Sequence, residues 1–292
     1  MLQRRTGDQG VVYYASPLLQ RAGVPHAFST RIGGMSSGPF TSLNLGNPSS
    51  ADVRDDADHI AQNYRRLHAA IGCENRKRCF VKQVHGCAVL DARAIADYQD
   101  GQPADALTSD DPTKLLAIQT ADCIPILLAT TDGKHVAAIH AGWRGIIANI
   151  IAHAGDEVLR IAGSPGKNLI AAIGPCIGKS HFEVGPEVLA EFDRAFEREC
   201  EALSQESDCH PEHDPRAKSS VFERRPDGKG NVDLPRAAYL QLLGAGLSPD
   251  SIDTTDRCTF RDADEFFSHR RDRGVTGRMA ALIGVRDPQQ RT

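Results

Sequence analysis

Apolar residues recur at helical spacing at Ile60, Tyr64, Leu67 and Ile71. Asp52 stands ahead of them as a cap, so the pattern predicts an amphipathic helix over 52–71. The period then shortens. Residues 79–84 and 88–90 are β-prone, and 115–120 and 124–129 are short, nearly continuous apolar runs of strand length. Thr131-Asp132-Gly133-Lys134 carries hairpin-turn chemistry, and residues 135–140 resume as a strand. Gly142 to Gly145 turn the chain into a helix over 146–161. Residues 169–173 form a buried strand that Gly174-Pro175 ends. Helices are predicted over 186–203 and 234–243, the second closed by Gly244 and Gly246. Phe266-Phe267-Ser268 opens a last strand–turn–strand region.

Two stretches break the pattern. Residues 29–39 are dominated by turn formers and form a loop, and 204–230 are polar and proline-containing. The second is expected to be a surface insertion, near 198–230. There is no repeat and no evident boundary, so residues 1–292 are expected to be a single domain. Strands that cluster, interrupted irregularly by helices, predict an α+β fold rather than a regular parallel sheet.

Composition narrows the function. A formal net charge of −4 with scattered basic residues argues against a nucleic-acid partner. No run of about 18 apolar residues and no signal-like segment is present, so no membrane span is expected and a cytoplasmic location is. Eight cysteines in a chain of 292 residues then read as buried thiols and a few ligands, not a disulfide framework.

Candidate chemistry lies at strand ends. His85 precedes Gly86, Cys123 follows Asp122 between two apolar runs, and His140 closes a strand before Gly142. Separately, each has a structural explanation: a satisfied core histidine, a small buried thiol, a strand-end residue. Together they offer three zinc ligands with a fourth position open, the composition of a catalytic site. Glycines and small residues beside each let a ligand approach.

The strings Gln83-Val84-His85-Gly86, Thr120-Ala121-Asp122-Cys123-Ile124-Pro125 and His140-Ala141-Gly142-Trp143-Arg144-Gly145 resemble the signature motifs of the laccase-domain, or polyphenol oxidase-like, family. Phe28-Ser29-Thr30-Arg31 and Ser42-Leu43-Asn44-Leu45-Gly46 resemble its N-terminal signature. Gly174-Pro175-Cys176-Ile177-Gly178 and Thr276-Gly277-Arg278 resemble its C-terminal half. The resemblance implies a single-domain α/β/β/α-type sandwich with mixed sheets and outer helices, and zinc on His85, Cys123 and His140. It implies phosphorolysis of adenosine, inosine and methylthioadenosine, with purine nucleosides and inorganic phosphate as partners. It also implies an adenosine deaminase side activity. For that reaction, chemistry suggests zinc-bound hydroxide attacking C6 of adenine, with Asp122 or a nearby carboxylate carrying the proton; Asp122, Cys123 and His140 are the catalytic candidates. His181 and His269 stand where the family often has tyrosine.

Around the substrate the expected residues are Arg31, Asn44, Gln83, Arg144 and Cys176. Arg31, Arg144 and Arg278 are candidates for phosphate, and Arg31 is favoured because its glycine-rich loop can bend backbone toward an anion. A copper-dependent polyphenol oxidase is the first alternative. None of the eleven histidines is two residues from another, although copper can occupy such a site in vitro. A cysteine hydrolase with Cys123 as nucleophile is the second. A structural zinc site completed by Cys176 is the third. Cys200, Cys209, His210 and His213 could be a further cluster, but the polar loop around them points to a dispensable segment.

Overall fold

The computed structural model describes residues 1–48, 52–94, 102–163, 168–205 and 221–287. Two six-stranded mixed sheets pack face to face. The first has the order Gln3–Thr6, Val12–Ala15, His26–Ser29, Met279–Ile283, Lys114–Thr120, Lys77–Cys79. The second runs Ile252–Asp253, Leu169–Ile173, Ile124–Thr130, Val136–Ala141, Ala106–Ser109, Val89–Asp91. A three-stranded sheet of Glu183–Val184, Gly230–Val232 and Phe222–Arg224 sits apart.

Side-chain alternation explains the layering. Leu116, Ile118, Met279, Ala281 and Ile283 of the first sheet share a core with Leu107, Leu127, Val136, Ala138 and Ile170 of the second. The opposite face of the first sheet, with Leu115, Ala117, Ala280 and Leu282, is covered by Tyr64 and Leu67 of the helix Ala57–Ala70. The opposite face of the second, with Ile126, Leu128, Ile139 and Ala171, packs on the helices Ile150–Ala162 and Leu234–Gly244. Strands buried on both faces have no polar side, which is why 115–120 and 124–129 read as continuous apolar runs. The architecture is the α/β/β/α sandwich of an α+β protein, as expected. Gly174 lies where the sheets nearly touch: an added Cβ would sit 2.2 Å from Phe28 and 2.8 Å from Pro125.

The structure departs from the sequence reading in places. The helix expected over 146–161 is two, Trp143–Ile147 and Ile150–Ala162, because Asn149 takes a left-handed conformation (φ 57°) between them. The strand expected over 79–84 ends at Cys79; beyond it only Lys82 pairs, in an isolated bridge with Pro103, and the last strand begins only at Met279, after a string of turns. Three N-terminal strands, too short to show a period, were not anticipated. The middle of the expected insertion, 206–220 with Cys209, His210 and His213, lies outside the described residues, as does the side chain of Cys200.

His26, buried on a strand of the first sheet, carries a pH liability. Its Nδ1 faces the carbonyl of Val24 at 2.8 Å, and the amide of Ser16 donates to Nε2 at 2.7 Å, so the ring is held neutral. Burial lowers its pKa from 6.5 to about 4, against small opposing contributions from the Val24 carbonyl and the Asp253 charge. A depressed folded-state value means the unfolded chain binds the proton first. Stability is therefore fully present above pH 6.5 and lost as pH falls toward 4, at up to about 1.4 kcal/mol per pH unit. Urea unfolding of chelator-treated protein between these values should show that slope, and His26→Gln should flatten it. An equal slope in both proteins would assign the acid sensitivity elsewhere.

Candidate metal centre

Two chain segments that pass between the sheets and the end of one strand of the second sheet bring the site together. His85 lies on the loop from Lys77–Cys79 in the first sheet to Val89–Asp91 in the second. Cys123 lies on the three-residue link from Lys114–Thr120 to Ile124–Thr130, which also changes sheet. His140 is near the end of Val136–Ala141. Their ligand atoms all lie within 4.8 Å of one another, the two imidazole rings meeting edge to face at 4.9 Å. Gly142 keeps the space open, since a Cβ there would stand 2.9 Å from the His85 ring and 3.4 Å from the Cys123 sulfur.

The residue that organises this cluster is Asp105, which carries no motif in the sequence. Fully buried, it accepts the Nδ1–H of His140 at 2.8 Å through Oδ1. The same carboxylate accepts the successive amides of Val84, His85 and Gly86 at 3.2, 2.9 and 2.7 Å. His85 is thereby held at φ 60°, a left-handed backbone that a non-glycine residue adopts at a cost. Successive amides converging on one carboxylate form an anion nest. With Nδ1 engaged, His140 presents Nε2 to the centre.

Electrostatics favour a thiolate. Burial pushes the Cys123 thiol up, but the His140 charge and hydrogen bonds from His140 and His85 outweigh it and bring the pKa down to about 6. His140 moves the other way: burial opposes its charge, yet the thiolate and Asp105 raise it to about 9. Two imidazoles and a thiolate, one ring held by a carboxylate behind it, suit a metal ion of zinc or copper type. Among the described residues this is the one cluster of three or more His, Cys, Asp or Glu side chains so arranged.

The cluster opens on a cavity of about 520 Å3, lined among others by Phe80, Gln83, Asp122, Ile177, Phe182, His269, Arg270 and Arg278. Gln83 is clamped to Gln119: its amide donates to the Gln119 carbonyl, and the Gln119 amide donates to its Oε1, each at 2.7 Å. Asp122, at φ 89°, accepts from the Thr259 hydroxyl at 2.6 Å and the Arg270 amide at 2.7 Å.

Four residues expected around the substrate do not line this cavity. Arg31 lies over the Phe267 ring and donates to the carbonyls of Thr41 and Ala263, beside a separate shallow depression. The glycines beside it serve packing rather than an anion: an added Cβ would meet Val11 at 2.4 Å from Gly33 and Ser42 at 2.1 Å from Gly34. Asn44 is fully buried, and its Oδ1 accepts the amides of Gly46 and Arg278. Arg144 is exposed and lies over Trp143. Cys176 is buried beside Cys258 in an isolated parallel bridge and lines a different cavity. Of the two histidines noted in the sequence, His269 lines the metal-site cavity, whereas His181 stacks on Phe260 at 4.5 Å.

Fold and donor set together define an α/β/β/α sandwich with, at its seam, a histidine–cysteine cluster that could hold a metal ion. The chain belongs to the family described as multi-copper polyphenol oxidoreductase laccase, which matches residues 25–286. A Deinococcus radiodurans protein named purine nucleoside phosphorylase is 37% identical over 271 residues, spanning 92% of this chain and 93% of that one. Purine nucleoside phosphorylase YfiH of Escherichia coli (strain K12) is 36% identical over 264 residues, spanning 90% and 95%. The crystal structure of YlmD from Geobacillus stearothermophilus has the same fold, with a TM-score of 0.77 at 31% identity over 97% of this chain and 99% of that one. No helix among the described residues is long and apolar enough to cross a membrane.

Proposed function

We propose that the chain is a zinc-dependent purine nucleoside phosphorylase acting on adenosine, inosine and methylthioadenosine, with adenosine deaminase activity at the same centre. The observation that carries this reading is the convergence of His85, Cys123 and His140 on a cavity of nucleoside size. The names of the relatives supply the substrate class. Zinc held by three protein ligands is a Lewis acid with an open coordination position.

The chain's own residues then have separable tasks. Asp105 fixes the tautomer of His140 and the loop of His85. Phe80, Ile177 and Phe182 offer apolar surface to the purine. Gln83, clamped to Gln119, keeps the cavity wall in place. Asp122, fixed by Thr259 and the Arg270 amide, carries the proton in deamination. In phosphorolysis a phosphate oxygen bonds to C1′ while the C1′–N9 bond breaks; its electron pair leaves with the purine, which takes up a proton.

A cysteine hydrolase is the second reading, because Asp105, His140 and Cys123 also have the order of an acid–base–nucleophile triad. Against it, His85 hydrogen-bonds the same sulfur, as a co-ligand would. Copper oxidation of phenols has weaker support: a single cluster among the described residues suits one ion, not a multicopper array.

Metal analysis with a nucleoside screen tests the proposal. About one zinc per chain is expected, with hypoxanthine released from inosine only when phosphate is present. Equal release without phosphate would make the protein a nucleoside hydrolase. A metal-free protein with full activity would favour the cysteine nucleophile.

A further inference from the structure

The charge around the cavity is unbalanced. Lys82, Arg270 and Arg278 line it, and Asp122 is the one carboxylate among the lining residues. Asp122 is already engaged by Thr259 and the Arg270 amide. Arg270 sends its guanidinium outward to the Glu183 carbonyl and over Phe182, and Lys82 is exposed.

Arg278 differs from both. It is partly buried, and its guanidinium donates only from Nη1, to the carbonyls of Thr276 and Gly277 in its own turn, at 3.2 and 3.0 Å. No carboxylate of the described residues pairs with it, although Cys123 and Asp122 are near enough to feel its charge. Its backbone is locked from behind: Asn44 Oδ1 accepts its amide at 2.8 Å, and the Leu45 amide donates to its carbonyl at 2.9 Å. A desolvated guanidinium with no direct ion-pair partner is costly. Such an arrangement becomes favourable when an oxyanion takes the free Nη2 and Nε donors, whose fork matches tetrahedral oxyanions.

We infer that Arg278, held by Asn44 and the Leu45 amide, is the residue that binds inorganic phosphate in this cavity. As a phosphate site it rests on the phosphorolytic reading above; as an oxyanion site it stands on the geometry alone. It replaces Arg31, whose guanidinium is engaged with backbone carbonyls outside the cavity. Asn44 becomes a positioning residue.

Two measurements on zinc-loaded wild type, Arg278→Ala, Arg278→Lys and Arg31→Ala test this: calorimetric binding of inorganic phosphate, and inosine cleavage across a phosphate titration. Arg278→Ala should weaken phosphate binding and raise its half-saturating concentration by about ten- to a hundred-fold, with zinc content and the KM for inosine little changed. Arg278→Lys should recover part of the loss, because the charge returns without the fork. A larger shift in Arg31→Ala than in Arg278→Ala overturns the inference, as does unchanged phosphate binding in Arg278→Ala. If wild type cleaves inosine without phosphate, the phosphorylase reading fails by itself, and the calorimetric comparison still decides whether Arg278 holds an oxyanion.

Discussion

Cys123→Ala is expected to bind almost no metal while remaining folded. The thiolate is the one anionic donor of the three, and among them it is the one that directly offsets the charge of a bound metal ion. Loss of a supporting group behind a ligand costs about ten- to a hundred-fold in metal affinity, and loss of the ligand itself should exceed that range. Removing one buried sulfur from the edge of an open cavity costs the fold only about 1 kcal/mol. Metal content after gel filtration, with circular dichroism as the folding control, checks both. Full metal retention by a folded variant would remove Cys123 from the site. Nucleoside cleavage should fall below detection in the same preparation.

The second large effect is expected from Asp105→Asn, a change of one atom. Oδ1 of Asp105 accepts from His140 and the His85 amide, and Oδ2 from the amides of Val84 and Gly86. An asparagine must turn its NH2 toward one of these donor pairs, so donors face donors. The outcome is expected to be no better than Asp105→Ala: metal affinity down by about ten- to a hundred-fold, and stability down by roughly 2–4 kcal/mol as buried amides lose their acceptor. Chelator competition reads the first and urea denaturation the second. Near wild-type affinity in Asp105→Asn would show that the carboxylate charge is not what positions the histidines.

These two residues also mark how far the sequence could be read. Cys123 was visible because it interrupts two apolar runs and has small neighbours, a pattern that packing alone does not require. Asp105 was not visible: it sits in Pro103-Ala104-Asp105-Ala106, and its importance comes from contacts 19 to 35 residues away in the chain. The strands 114–120 and 124–130 were legible because burial on both faces leaves a strong apolar run. Those at 3–6 and 12–15 were not, since a four-residue strand carries too little pattern. Arg31 and Arg278 were separated only by the fold. A glycine-rich loop has the same composition whether it bends toward an anion or packs against a neighbouring strand. The close approaches at Gly33 and Gly34 identify the second case.

The position of the ligands has a consequence for the abundance of the protein. Two of the three segments that carry them cross from one sheet to the other, so an ion bound there fastens the two halves of the core across their seam. An ion that binds the folded chain and not the unfolded one adds RT ln(1 + [metal]/Kd) to stability, about 4 kcal/mol when free metal exceeds Kd a thousandfold. That is a large share of what holds a typical domain folded. Metal starvation should then act before catalysis is measured at all: the amount of intact protein in a cell would follow the free metal concentration, through faster degradation of the chain whose seam is open.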